Sequence, residues 1–297
     1  MDTNTSLIKL LVALLAALIP MGAHANPGDL YATDNNSIRI YAPDGTARLF
    51  ASGLLRPRGL AFDGFGNLFV ATLDTAIRGD NRGQILKFAP DGTVTIFATG
   101  LDSPSGLAFD SAGNLYVSDS NITHGGFRGE GKRKGGGEGG RVTKITPGGV
   151  KSLFAILDPT TFHQNFAVAV DEQNNLFVAD NLQSAIYMIT PDRGIISVFV
   201  SLPFSPIGLA FDRAGNLYAS DTDPFDVLGN ITRIAPDGTQ TLVVSGLGGL
   251  RGLAFDPNGN LFAAGHGNNV IYKITPDGSV SIFASALNIP QYVAVEP

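Results

Sequence analysis

Two positions in each of six repeated phrases carry the side chains best suited to chemistry. Just ahead of the phrase "GLAFD" stand Arg58, Ser105, Phe166, Ile207 and Arg251, with Gln291 in the equivalent place of a shortened last copy. At the end of the "NLFV" stretch that follows each phrase stand Asp34, Thr72, Asp119, Asp180, Asp221 and Gly265. The first row holds two permanent cations, whose forked guanidinium donors suit a carboxylate or another anionic group. The second holds four carboxylates, which could gather a hard cation such as Ca²⁺ through clustered oxygens. Both rows also have a structural reading. Each acid would cap the loop after it or pair with an arginine across a channel, and Arg58 and Arg251 would neutralise facing acids.

Other polar residues are less informative. His124, His163 and His266 lie beyond the N-terminal segment. Three imidazoles can hold zinc, but these fall at different offsets in different phrases, so spacing gives them no reason to meet. His163 sits in "DPTTFHQNF", an insertion expected to project over the site. A second insertion, "THGGFRGEGKRKGGGEGG" within 123–141, is Gly-rich and mildly basic and cannot bury a core, so a solvated loop is expected. The Asp of "AFDxxGN" (Asp63, Asp110, Asp171, Asp212, Asp256) precedes its Asn by four residues each time. That place, before a tight turn, suits a turn cap better than a metal ligand.

The elements that must position these residues follow from the repeat. "GLAFDGFGNLFV" from Gly59 returns from Gly106, Ala167, Gly208 and Gly252, and a second phrase such as "ILKFAPDGTVTIFATGL" follows each copy. Apolar and polar residues alternate with period two between turn residues, so each unit predicts four short antiparallel strands. Four-stranded units recurring at roughly 40 to 45 residues predict a β-propeller. Six turns beginning at Pro43, Pro90, Pro147, Pro191, Pro236 and Pro276 set the number of blades at six. The chain opens at Gly28 on a second strand lacking its first, "GDLYATD", and closes on a first strand lacking its second, "YVAVEP". The two halves are therefore expected to share one blade, closing an all-β, six-bladed ring over residues 28–297 with no open sheet edge there. Loop length varies on one face only, where both rows of chemical residues lie, and function is expected on that face.

The phrase "GLAFDSAGNLYVSD" resembles the NHL repeat, and six such units are similar to the propeller group that contains gluconolactonase/regucalcin-like proteins and streptogramin lyases. The resemblance covers about residues 28–297 and implies the fold; such scaffolds host lactonases, lyases and plain binding proteins. In the gluconolactonase/regucalcin group it implies Asn and Asp at the position before the Gly, holding a divalent cation, and in the lyases a nearby His. Here that position holds Arg58, Ser105, Phe166, Ile207, Arg251 and Gln291, which departs from both patterns.

Composition bounds the partners. A formal net charge of −6 offers no general attraction for nucleic acid or an anionic membrane. The apolar run "LIKLLVALLAALI" (7–19) is shorter than the roughly 20 residues a spanning helix needs. Ala23 and Ala25 follow it in a small-x-small pattern, so 1–25 is expected to be a signal peptide cleaved before Asn26. With no cysteine, the chain has no disulfides. The expectation is a secreted or periplasmic monomer binding a small ligand or a protein partner through Arg58, Arg251, Gln291, His266 and His163. The alternative is a metal-assisted hydrolase or lyase for lactone-like or cyclic esters, with the cation on Asp34, Asp119, Asp180 and Asp221. In that case Asp119, Asp180, Asp221 and His266 are the catalytic candidates.

Overall fold

The computed structural model describes residues 26–73, 82–120, 140–157, 167–192, 196–222 and 227–297. Within them the alternating phrases form six four-stranded antiparallel sheets. Blade one contains β1 (Leu30–Asp34), β2 (Ser37–Tyr41) and β3 (Ala47–Ser52). Blade two is β4 (Leu60–Phe62), β5 (Leu68–Leu73), β6 (Arg82–Phe88) and β7 (Val94–Asp102). Blade three is β8 (Pro104–Phe109), β9 (Leu115–Ser120), β10 (Gly140–Ile145) and β11 (Lys151–Ile156). Blade four is β12 (Val168–Val170), β13 (Leu176–Asp180), β14 (Ala185–Ile189) and β15 (Ile196–Ser201). Blade five is β16 (Ser205–Phe211), β17 (Leu217–Thr222), β18 (Gly229–Ile234) and β19 (Gln240–Leu247). Blade six is β20 (Leu250–Phe255), β21 (Leu261–Gly265), β22 (Val270–Ile274) and β23 (Val280–Ala284). The last strand, β24 (Val293–Val295), returns to blade one, whose order is β24-β1-β2-β3.

The first strand of each blade is innermost. These strands touch in a closed cycle: β4, β8, β12, β16, β20, β24 and back to β4. Closure is by hydrogen bonding between the two ends of the chain, in the register Leu30↔Val295, Tyr31↔Ala294 and Ala32↔Val293. The amides of Gly28, Thr33 and Asn35 extend the seam by donating to the carbonyls of Glu296, Tyr292 and Asn288 at 2.9, 2.9 and 3.0 Å. The six-bladed, terminally closed ring read from the sequence is the one observed.

The core is divided into six clusters, each between neighbouring blades, because both faces of every sheet are covered. Blades one and two share Tyr31, Ile38, Ile40, Leu60, Leu68 and Val70; blades six and one share Leu30, Ala32, Phe262, Ile271 and Val293. The phrase explains this packing. Its second-strand aromatic stacks edge-on against the Phe of "LAF" in the next blade, as in Tyr31–Phe62, Phe69–Phe109, Phe177–Phe211 and Tyr218–Phe255, with centroids 4.9 to 5.1 Å apart. Each such pair adds roughly 0.5–1.5 kcal/mol beyond area burial. Among the described residues no helix is long and apolar enough to cross a membrane.

Candidate functional site

One end of the ring is built from identical turns. Asp63 Oδ1 accepts the amides of Phe65 and Asn67 at 2.9 Å each, and Oδ2 accepts the Asn67 side-chain amide at 2.7 Å. Asp110, Asp171, Asp212 and Asp256 repeat the arrangement with Asn114, Asn175, Asn216 and Asn260. These carboxylates are turn caps, as their place in the sequence predicts. Each Asp is engaged by its own turn.

The other end is set by a close approach of the inner strands. A β-carbon at Gly59 would lie 1.9 Å from the Ser105 carbonyl oxygen of the next blade, and one at Gly208 would lie 2.1 Å from that of Arg251. The Gly of "GLAFD" is therefore a packing residue where two backbones nearly touch, whereas glycines such as Gly66 (φ 76°) serve turns. A left-handed residue lies two positions ahead of three ring residues and turns the chain into the inner strand: Arg56 (φ 45°), Ser103 (57°) and Ile289 (60°).

In β24 the place of that Gly is taken by Tyr292, as the registers of β24 with β1 and of β4 with β5 show. Its hydroxyl lies 2.9 Å from that of Ser105, so a side chain of blade one reaches past blade two to blade three across the channel mouth. Arg58 of blade two and Arg251 of blade six both act on this phenol. Burial raises its pKa, against the Ser105 hydrogen bond and the two arginines. Arg58 donates from Nη1 to Ser103 Oγ at 3.1 Å. Among the described residues no carboxylate pairs with it. Burial lowers the pKa of its guanidinium, Tyr292 opposes this, and the charges of Arg56 and Arg251 add to it. The mouth thus holds two mutually repelling cations, a phenol and a serine hydroxyl.

Of the other ring residues, Ile207 is buried. Gln291 is half-buried and its carbonyl accepts the Gly252 amide at 2.9 Å. Phe166, His163, His124 and nearly all of the 123–141 insertion lie outside the described residues. His266 is half-buried in the turn between β21 and β22.

The four acids of the second row are buried and each is engaged by its own partners, whereas Thr72 Oγ1 is buried with no hydrogen-bond partner among the described residues. Asp34 Oδ1 accepts the amides of Asn35 and Asn288 at 2.8 Å, and its Oδ2 is 3.5 Å from Arg39 Nε. Asp180 Oδ1 caps the amides of Leu182 and Gln183 at 3.0 Å. Asp221 Oδ1 accepts the Asn230 backbone and side-chain amides at 2.9 Å, and burial raises its pKa. Arg141 bridges Asp102 and Asp119 at 3.4 and 3.3 Å. Among the described residues, the arginines that meet Asp34 and Asp119, Arg39 and Arg141, stand on the neighbouring strand of the same blade rather than across the channel. Asp119 and Asp180 are each 1% exposed, and among the described residues Asp119 Oδ1 is without a hydrogen-bond partner. Burial lifts the Asp119 carboxyl to about 7, which Arg141 opposes and Asp102 reinforces. Among the described residues no three Asp, Glu or His converge on a point that could hold a metal ion.

Sequence reasoning missed Tyr292 and three buried hydroxyls. Ser118 and Ser220 accept the amides of Gly106 and Gly208 at 2.7 and 2.9 Å, where bulges take these inner-strand groups out of the ladder. Thr33 accepts the Tyr292 amide at 2.9 Å. The available signal was a Ser or Thr before the second-strand Asp in "VSD", "ASD" and "ATD", where other blades have Ala.

Comparison with solved structures agrees with the architecture. A nidogen/laminin complex aligns with a TM-score of 0.72 at 15% identity, covering 91% of this chain and 98% of the other. A streptogramin B lyase aligns with a TM-score of 0.61 at 17% identity, over 90% and 83%. A protein described as a putative gluconolactonase aligns with a TM-score of 0.58 at 20% identity, over 91% and 96%. At these identities the likeness is one of fold. No protein-family model and no curated protein sequence matches the chain.

Proposed function

We propose that this chain is an exported monomeric propeller that binds an anionic small molecule, or an acidic group offered by a protein partner, at the mouth framed by Arg58, Arg251, Gln291 and Tyr292. One observation carries the reading: Arg58 is a partly buried guanidinium whose hydrogen-bond partner is the neutral Ser103 hydroxyl, with the like charges of Arg56 and Arg251 nearby. A carboxylate there would relieve the repulsion and accept forked donors. Tyr292 and Ser105 would add neutral donors. Export is supported by the apolar run at 7–19 and the Ala23-x-Ala25 pattern. The nidogen/laminin neighbour lends weight to a protein partner.

The test is calorimetric titration with a panel of small carboxylates, gluconate and citrate among them, on the wild type, Arg58→Gln and Arg251→Gln. Loss of one charged hydrogen bond is expected to weaken binding by about 1.5–3 kcal/mol, roughly 10- to 100-fold in Kd. Unchanged affinity with a lowered melting temperature would make the arginines structural.

The second reading is metal-assisted hydrolysis or elimination, as the names of the lyase and gluconolactonase neighbours suggest. It is favoured by the buried, unpartnered Asp119 Oδ1, an oxygen able to take a cation or a substrate donor. The described residues bring no three such ligands together, so a cation at Asp119 would need further ligands from outside them before it could polarise a lactone carbonyl. Elemental analysis of chelator-washed, re-loaded protein separates the two readings. Stoichiometric cation binding together with lactone hydrolysis would establish the second.

A further inference from the structure

The turn that caps five blades is cut open in blade one, and its residues differ in charge. Glu296 holds the place of the capping Asp and Asp29 that of the Asn, as the strand registers show. The turn's backbone bond survives the cut: Glu296 N–H donates to the Asp29 carbonyl at 3.0 Å, as Asp63 N–H does to that of Asn67. The aromatic contact survives too. Tyr31 Oη donates to Glu296 Oε2 at 3.2 Å, as Tyr116 Oη does to Asp110 Oδ2. What changes is the fourth corner, where an Asn amide that donated to the capping carboxylate at 2.7 to 2.8 Å has become a second carboxylate.

Two acids side by side need a cation. Asp29 is 1% exposed, and its Oδ1 is buried without a partner. Its Oδ2 takes Arg48 Nη2 at 3.1 Å and the backbone nitrogen of Asn26 at 3.1 Å. Asn26 is also the residue that follows the Ala23-x-Ala25 pattern. Cleavage at that bond turns a neutral amide at this position into an α-ammonium. The peptide bond between Ala25 and Asn26 is hydrolysed by one water, which leaves a carboxylate on Ala25 and the protonated amine on Asn26.

We propose that Asn26 is a processing-dependent clasp: leader removal creates an α-ammonium that pairs with Asp29 beside Glu296 and fastens the seam of the ring. The groups around it are the charged Asp29, Glu296 and Arg48 and the neutral Tyr31 phenol, whose pKa burial raises. Burial raises the Glu296 pKa, the Tyr31 hydrogen bond opposes this, Asp29 reinforces it and Arg48 opposes it, so a further positive charge favours both acids in their ionised form. The clasp stands at the opposite end of the ring from Arg58 and Arg251 and does not depend on what binds there.

The test compares the chain beginning at Asn26 with the same chain acetylated on that nitrogen and with one carrying Gly-Ser before it, each with and without Asp29→Asn. Asp29→Asn restores the residue that the other five blades use, so it should fold. The free-amine form should melt a few degrees above both blocked forms, and Asp29→Asn should abolish the difference. The Asn26 α-amine, titrated through its ¹³Cα shift, should have a midpoint at least about one unit above the ordinary 7.7–8.0, returning toward it in Asp29→Asn. Equal melting of free and blocked forms, or an ordinary midpoint, would overturn the clasp. So would mass spectrometry of the exported protein showing a first residue other than Asn26, whatever ligand binding at the other end reveals.

Discussion

Asp119 shows how burial alone changes what a residue can do. Its carboxyl is lifted to about 7 chiefly by burial, with Arg141 pulling it down and Asp102 pushing it up. Between pH of about 4 and 7 the folded chain therefore keeps a proton that the unfolded chain has released. This group's contribution to stability falls as pH rises through that window and is level above it. Denaturant titrations at pH 4.5, 6 and 7.5 should show Asp119→Asn gaining on the wild type as pH rises; parallel profiles would mean an ordinary carboxylate. Tyr292 is the second residue on which much turns. Removing its hydroxyl in Tyr292→Phe leaves Ser105, 2% exposed, without this hydrogen bond, and should cost about 1–3 kcal/mol. If the phenol also meets ligand, affinity in the carboxylate panel falls with it; if its role is only structural, melting temperature alone moves.

The inner strand is the element on which the site depends, and its glycine is where it is least tolerant. At Gly208 a β-carbon would stand 2.1 Å from the Arg251 carbonyl oxygen and 2.6 Å from Ser220 Oγ. Backbone cannot yield as a side-chain tip does. Gly208→Ala is thus expected to lose about 1–3 kcal/mol or more through overpacking, read as a lower denaturant midpoint. Gly64 meets nothing within 4 Å of its added carbon and is not left-handed, so Gly64→Ala should stay within about ±0.5 kcal/mol. The contrast separates two uses of glycine that look alike on paper. It also tests the site, because Gly208 packs directly against the backbone that carries the Arg251 side chain.

At the scale of the molecule, stability is a property of the ring. β24 contributes Val293 to the cluster between blades six and one and Ala294 to that between blades one and two. Deleting 290–297 removes both, together with the hydrogen bonds that cover the β1 edge. The truncated chain should aggregate or lose most of its cooperative melting, followed by light scattering and circular dichroism. A truncated protein that stays monomeric and equally stable would refute closure as a stabilising device.

The sequence by itself determined the strands, the six blades, the shared blade and the turn caps. These depend on interactions between near neighbours repeated along the chain: period-two alternation, an Asp four residues before an Asn, and one aromatic per second strand. Only the tertiary structure decided that the Tyr292 phenol comes under the charges of both Arg58 and Arg251, and that Asp119 shares Arg141 with Asp102. Only it showed that Asp29 and Glu296 rebuild one turn from opposite ends of the chain. The physical reason is that periodicity fixes which face of a strand a residue occupies. Closure of the ring fixes which distant side chains that face will meet, and a departure from the repeat, a Tyr where four other blades have Gly and one has Ala167, acquires its meaning only against the blades that conform.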